Sequence, residues 1–167
     1  NGDTNMAALQ GYTIKLYKEV EEITGMSCGL HHVGGVTLAN NQDRFDMLLA
    51  ERAKHRYMGL ETEIVGPDEI KKIAPVTNTD DIVGGLYDPL DGHLDPSGTT
   101  YAYAKAARMG GAEIETNTKV IQTNQRYDRS WDVITDKGSI QTEHLVNAGG
   151  LWAREVGQMQ GLNIPVQ

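Results

Sequence analysis

The segment of residues 87–114 constrains the fold more than any other part of the 167-residue chain, because it marks both ends of one helix. Asp95 is a favourable N-cap residue, and Pro96 occupies the first helical position, where its missing N–H costs nothing. Gly110 and Gly111 are typical of a helix C-terminus. With strand patterns before it and over 112–120, the helix resembles half of a βαβ crossover, which predicts a parallel sheet.

Helical and strand patterns alternate along the rest of the chain. The period of the apolar residues predicts helices over 5–24, from 40 or 41 to 59, over 67–75 and over 152–159. Strands are predicted over 29–39, 61–65, 83–88, 119–127, 131–135 and 139–146. Gly34 and Gly35 interrupt the first strand, where another group could approach the backbone. This order predicts an α/β fold with α+β character, because a hairpin turn at 136–138 adds an antiparallel element.

Composition excludes several classes of partner. The formal net charge of -8 argues against nucleic acid, whose phosphates require a basic surface, and against an anionic membrane. The single cysteine, Cys28, cannot form an internal disulfide, which favours a reducing compartment. Because the sequence does not begin with Met and stops in an apolar run, we expect it to be an internal piece of a longer polypeptide.

Candidate metal and nucleophilic sites do not reach the required spacing. His31 and His32 are adjacent, so in a strand they point to opposite faces and cannot easily share an ion. The loop of residues 88–95 is acidic, but its glycine and its last ligand position do not match an EF-hand. Ser97 lies outside a G-x-S-x-G motif. The sequence therefore predicts no metal site and no nucleophilic catalysis.

The small residues after the last predicted strand suggest a ligand site. Ala148, Gly149 and Gly150 let another group approach the backbone, and the helix that follows offers free N–H groups to a phosphate or another polar ligand. A tight turn without a ligand explains the same residues equally well, so both interpretations stay open. There is no G-x-G-x-x-G motif, so a dinucleotide site would lack its phosphate loop in this chain.

Four segments together resemble FAD-dependent amine oxidoreductases of the D-amino-acid-oxidase superfamily, and especially its dimethylglycine and sarcosine dehydrogenase group. They are NMAALQGYTIKLYKEVEEITG, GLHHVGGVTLANNQDRFDML, GLYDPLDGHLDPSGTTYAYAKAARMGGAEI and HLVNAGGLWAREVG, and they span nearly the whole chain. The resemblance implies a Rossmann-like FAD domain interleaved with a mixed-sheet substrate domain. Residues 1–88 would be mostly substrate domain with an N-terminal helix, 89–157 FAD domain, and 158–167 the start of the return to the substrate domain.

The resemblance also implies site residues. Val120 matches a position whose backbone contacts the adenine, and residues 148–150 with Trp152 match a turn and an aromatic residue that pass close to FAD. Asn147 precedes this turn and is expected to fix it. Tyr87 and His93 are polar candidates on the substrate side, near the implied domain junction. The phosphate-loop glycines and a C-terminal lobe would lie outside the chain, so we expect that the chain alone does not retain FAD.

The implied activity is oxidation of a secondary or tertiary amine, such as dimethylglycine or sarcosine, by hydride transfer to flavin. A substrate carboxylate would need an arginine. The sequence does not choose among the candidates Arg44, Arg52, Arg56, Arg108, Arg126 and Arg154. Two alternatives stay open: a flavin enzyme for other small amino acids or glycerol phosphate, and a non-catalytic binding or regulatory module of the same fold.

The resemblance leads to three further expectations. The chain alone should be inactive, because it lacks the pyrophosphate anchor of FAD. It should tend to self-associate, because a cut through interleaved domains exposes apolar edges. The complete protein should be cytoplasmic in a bacterium or lie in the mitochondrial matrix of a eukaryote.

Overall fold

The computed structural model describes residues 3–166, which form two compact units that divide between Glu113 and Ile114. Unit 1 contains α1 (Thr4–Thr24), β1 (Gly35–Ala39), α2 (Gln42–Tyr57), β2 (Glu63–Val65), α3 (Pro67–Ile73), β3 (Gly84–Asp88) and α4 (Pro96–Met109). Unit 2 contains β4 (Val120–Gln125), β5 (Trp131–Thr135), β6 (Gly138–Thr142), a 3-10 turn (Gly150–Trp152) and α5 (Ala153–Gln158). The predicted mixture of helices and strands is confirmed. No helix within residues 3–166 is long and apolar enough to cross a membrane.

The helix boundaries follow the capping residues of the sequence. Asp3 accepts a hydrogen bond from the Met6 N–H at 2.9 Å and caps α1, whose last turn is closed by Gly25 at φ +65°. Asn41 caps α2. The predicted Asp95 cap of α4 is confirmed, because its carboxylate accepts from the Ser97 N–H at 3.0 Å. Each cap satisfies a backbone donor that the helix itself leaves unpaired.

The sheet of unit 1 places β3 between β1 and β2, and both pairings are antiparallel. Ala39, Leu48 and Leu86 form a buried cluster between this sheet and α2. A second cluster joins α1 to α4 through Val20 and Ala102, together with Cys28, which is fully buried. Burial of these apolar side chains supplies the main stabilisation of the unit.

Close approaches to glycine explain the interruption predicted in the first strand. Gly34 has φ +76°, and a Cβ there would lie 2.5 Å from both the Cε2 atom and the hydroxyl oxygen of Tyr87. A Cβ at Gly35 would collide with the Asp91 carboxylate. The strand pattern over 29–39 therefore shortens to β1, preceded by an isolated bridge at His31. Two side chains of the 87–91 segment occupy the space that side chains at 34 and 35 would need.

The sheet of unit 2 is an antiparallel meander in the order β4-β5-β6. A turn at Asp136 and Lys137 joins β5 to β6, as the sequence predicts. Gln160 follows α5 and donates from Nε2 to the backbone oxygen of the buried Thr123 and, at 2.7 Å, to its hydroxyl. These bonds attach the end of α5 to the middle of β4.

Three predictions about strands are wrong. Residues 112–119 form no strand, and both sheets of residues 3–166 are antiparallel, so the predicted parallel sheet is not formed there. A parallel pair needs a neighbouring strand, and none lies beside this segment within the described residues. The last strand ends at Thr142 instead of at position 146, because Thr142 pairs with Trp131, the first residue of its partner β5. The predicted domain assignment of 1–88, 89–157 and 158–167 remains a prediction.

Substitution of Gly34 by Ala should destabilise unit 1 more than the same substitution at Gly59. Both residues have a positive φ, which costs a side chain about 1–2 kcal/mol, but a Cβ at Gly59 meets no atom within 4 Å. Displacement of the Tyr87 ring should add about 1–3 kcal/mol for Gly34→Ala. Urea unfolding followed by circular dichroism measures both costs. Equal losses of unfolding free energy would show that the Tyr87 contact has no energetic effect.

Candidate cofactor site

An open cleft of about 800 Å³ lies within unit 2 and combines two residues that the resemblance associates with a cofactor. Val120 begins β4, and Trp152 ends the 3-10 turn before α5. The lining consists of Asn117, Thr118, Lys119, Val120, Asp136, Trp152, Glu155, Val156 and Met159. The volume falls within the range of about 300–1,000 Å³ that is usual for ligand sites.

Backbone contacts hold the polar rim of this cleft. The Lys119 N–H donates to the Asp136 carboxylate at 3.0 Å, and the Asp136 N–H donates to the Lys119 carbonyl at 3.0 Å. Pairing of β4 with β5 shifts register between Val120 and Gln122. A bulge of this kind redirects side chains. The rim of the cleft thus consists of Lys119, which precedes β4, and Asp136, which follows β5. These two residues are far apart in the sequence and meet only in the folded unit.

Trp152 supplies the largest apolar surface beside the cleft. Its side chain is 63% exposed, so the indole is open to an incoming group. An exposed aromatic ring beside apolar walls is suited to stacking on, or packing against, a planar ligand. Val156 and Met159 form the adjoining wall from α5 and its C-cap.

The turn of residues 147–150 is held by the side chain of Asn147, as expected. Its Nδ2 donates to the Ala153 carbonyl at 2.8 Å, and its Oδ1 accepts from the Gly149 N–H at 3.1 Å. A Cβ at Gly149 would lie 3.2 Å from the Ala153 nitrogen. Gly150 has φ +55°. The hydrogen bonds of Asn147, the close approach at Gly149 and the positive φ of Gly150 thus account for the presence of these three residues without a ligand. The turn leads directly into Trp152.

The structure does not bring all the cofactor candidates to one surface. Val120 and Trp152 line the cleft, whereas residues 147–150 support the turn that precedes Trp152 and are not among its lining. Sequence reasoning missed the other lining residues of α5. Trp152, Glu155, Val156 and Met159 recur at the spacing of one helical face, and this signal could have identified them.

Tyr87 and His93, the substrate-side candidates, lie in unit 1. Tyr87 is half-buried in β3 beside Gly34, and His93 is exposed in the loop before α4. The His93 ring stacks on the His31 ring with centroids 5.0 Å apart. No pattern in the sequence pointed to this pair, because its members are far apart in the chain. No group of three or more His, Cys, Asp or Glu residues within the described chain is arranged to hold a metal ion.

The family model for FAD dependent oxidoreductases (DAO) matches residues 1–167. Over 98% of its length the chain is 39% identical to the mitochondrial dimethylglycine dehydrogenase of Rattus norvegicus. Over 89% it is 36% identical to the mitochondrial sarcosine dehydrogenase of Mus musculus. The chain therefore belongs to the FAD dependent oxidoreductase family, and the resemblance found in the sequence is confirmed. It spans 19% and 17% of the length of these two relatives.

Two further similarities bear on function and fold. The chain is 32% identical, over 95% of its length and 18% of the relative's, to the mitochondrial pyruvate dehydrogenase phosphatase regulatory subunit of Mus musculus. The solved structure of L-proline dehydrogenase from P. horikoshii superposes with a TM-score of 0.90. That match has 24% identity and covers 100% of this chain and 44% of the solved one, so it shows the fold alone.

Removal of the Asn147 side-chain bonds should destabilise unit 2. Asn147→Asp loses the donor to Ala153 and should cost about 1 kcal/mol, while Asn147→Ala loses both bonds and should cost about 1–2 kcal/mol. Asn163→Asp makes the same chemical change at an exposed residue that has no side-chain hydrogen bond within the described chain. Urea unfolding followed by tryptophan fluorescence measures the three costs. An effect of Asn163→Asp as large as that of Asn147→Asp would contradict the role of the turn.

Proposed function

We propose that this chain contributes part of the FAD site of a flavoenzyme that oxidises small secondary or tertiary amines. The observation that carries the proposal is the convergence of Val120 and Trp152 on one cleft, in a chain that matches the family model over residues 1–167. The substrate class is drawn from the dimethylglycine and sarcosine dehydrogenases to which the chain is similar.

The chemistry of the cleft fits the adenosine portion of FAD. Val120, Val156 and Met159 offer an apolar wall, and Trp152 offers an exposed aromatic ring. Lys119 is exposed at the rim, but two carboxylates line the same cleft, so the side chains give no net positive charge for a phosphate; carboxylates can instead accept hydrogen bonds from ribose hydroxyls. The cleft does not supply a phosphate loop, so the pyrophosphate would be bound by residues outside this chain.

The residues of this chain would bind and orient the reactants, while FAD supplies the acceptor for the hydride from the carbon next to the amine nitrogen. The Tyr87 phenol and the His93 imidazole can each exchange a hydrogen bond with the amine or its carboxylate. Both are proposals for the substrate side. If these residues hold the amine in one orientation, the entropy lost in aligning it with the flavin is lost on binding, and the activation barrier of the hydride transfer is lower.

The arginine candidates for a substrate carboxylate differ in the contacts that their side chains make. Arg52 and Arg154 donate from Nε to the backbone carbonyls of Thr62 and Ile164, and Arg126 pairs with the Asp132 carboxylate. The remaining candidates, Arg44, Arg56 and Arg108, have no side-chain hydrogen bond or ion pair within residues 3–166. Since a guanidinium carries five N–H donors, one Nε bond leaves donors for a carboxylate, and the proposal keeps all six arginines and residues outside the chain as candidates.

A second candidate function is a non-catalytic regulatory module of the same fold. It is favoured by the 32% identity to the pyruvate dehydrogenase phosphatase regulatory subunit. The two functions differ in one measurement on the complete polypeptide. Anaerobic bleaching of bound flavin by dimethylglycine or sarcosine supports the enzyme, and bound flavin that no amine, amino acid or glycerol phosphate bleaches supports the module. Self-association of the chain and its cellular compartment remain predictions.

Trp152→Ala should weaken FAD binding by the complete polypeptide about tenfold, the effect of about 1.4 kcal/mol of lost aromatic contact. Leu151→Ala is the matched control, because Leu151 is the neighbouring exposed apolar residue and does not line the cleft. Titration of the apoprotein with FAD measures both affinities. A loss for Leu151→Ala equal to that for Trp152→Ala would contradict the proposed contact.

The chain of residues 1–167 by itself should show no amine oxidation, because the cleft alone buries only part of FAD. Mixing the purified chain with FAD and sarcosine under anaerobic conditions, and following the flavin absorbance, measures this. Amine-dependent bleaching by the isolated chain would refute the expectation and would place a complete flavin site within these residues.

A further inference from the structure

A pair of histidines in unit 1 is arranged independently of the proposed cofactor site. His31 and His93 form an isolated antiparallel bridge, in which the His31 N–H donates to the His93 carbonyl at 2.9 Å. The His93 N–H donates back to the His31 carbonyl at 3.2 Å. Their rings stack with centroids 5.0 Å apart and planes inclined by 29°. Both side chains are exposed on the same side of the bridge.

This spacing allows both imidazoles to reach one ion. Residues that exchange both backbone bonds have Cα atoms about 5.5 Å apart, and their side chains leave the bridge together. A metal ion bound by two imidazoles lies about 2.0–2.1 Å from each nitrogen. The terminal torsion of histidine is broad, so exposed rings can turn toward a shared ion without disturbing the core. The backbone bridge fixes the two anchor points in advance.

The donor set selects the class of ion. Neutral imidazole prefers Zn²⁺, Cu²⁺ and Ni²⁺, while Mg²⁺ and Ca²⁺ prefer oxygen ligands. His93 lies between Asp91 and Asp95 in a loop that carries negative charge, which raises the local concentration of cations. No larger group of ligating side chains exists within the described residues, so water would complete the coordination.

The other histidines within the described residues lack this arrangement. The His32 ring lies 3.4 Å from the Leu90 carbonyl through Nδ1, and the buried His55 lies 3.2 Å from the Thr62 hydroxyl through Nδ1. His144 belongs to unit 2. We propose that His31 and His93 together bind one divalent first-row transition-metal ion, which would join the loop before α4 to the segment before β1. This proposal differs from the expectation from sequence that the chain has no metal site.

Titration calorimetry of the untagged chain with NiCl₂ alone tests the proposal. We expect one ion per chain, and an affinity that falls about tenfold or more in His31→Asn and in His93→Asn, since each variant leaves a single ligand. His32→Asn is the matched control, because it removes a neighbouring exposed imidazole that is outside the pair. Its affinity should equal that of the unaltered chain.

A second measurement keeps the proposal testable if a variant fails to fold, as judged by circular dichroism. Substoichiometric Cu²⁺ added to the unaltered chain should broaden the ring resonances of His31 and His93 before those of His144. Ni²⁺ should also raise the unfolding temperature, because an ion that binds only the folded chain stabilises it. Equal broadening of all the histidines, equal losses in the His32 variant, or no nickel binding would each overturn the proposal.

Discussion

Strand β3 is the element on which the rest of unit 1 depends. It pairs with β1 on one edge and β2 on the other, and Gly84, Gly85 and Leu86 are buried. A Cβ at Gly84 would collide with the Phe45 ring, so α2 packs directly on the strand backbone. A Cβ at Gly85 would lie 3.3 Å from the Ile70 side chain of α3. These contacts are close because β3 has glycine, which has no side chain, at the two positions that face α2 and α3.

Strand β3 also determines the positions of Tyr87 and His93, the substrate-side candidates of unit 1. Tyr87 projects beside Gly34, and the chain then leaves the sheet through the 88–95 loop that carries His93 and ends at the Asp95 cap. The loop returns to the first segment through the bridge between His31 and His93. The strand therefore positions the Tyr87 hydroxyl, and the bridge anchors the backbone at His93, whose exposed ring can turn. Functional groups are often carried in this way on loops next to a scaffold.

Local signals in the sequence were sufficient for the helices and most of the strands. Asp3, Asn41 and Asp95 cap helices in the structure because capping depends on residues only a few positions away. The predicted parallel sheet failed because pairing depends on which distant segment lies alongside. The sequence of 112–120 has the composition of a strand, but composition does not supply a partner. For the same reason, no pattern could reveal the contact between His31 and His93.

For the candidate cofactor site, too, some features could be predicted from the sequence and others only from the structure. The small residues of 147–150 were noticeable in sequence, and their role in the turn follows from the bonds of Asn147. The resemblance singled out Val120 and Trp152, but their meeting at one cleft requires the fold of unit 2. Asp136 was assigned only to a hairpin turn, and the structure adds its place on the cleft rim. The sequence thus identified individual residues of the site, whereas the cleft that they line is formed only when the unit folds.

The contact between Gly34 and Tyr87 has a consequence for the history of the sequence. A side chain at position 34 and a large ring at position 87 compete for one space, so the two sites cannot change freely and separately. A smaller residue at 87 would remove the steric part of the cost of alanine at 34, while the cost of the positive φ would remain. The two positions are therefore coupled, because the residue at 87 sets part of the cost of a side chain at 34.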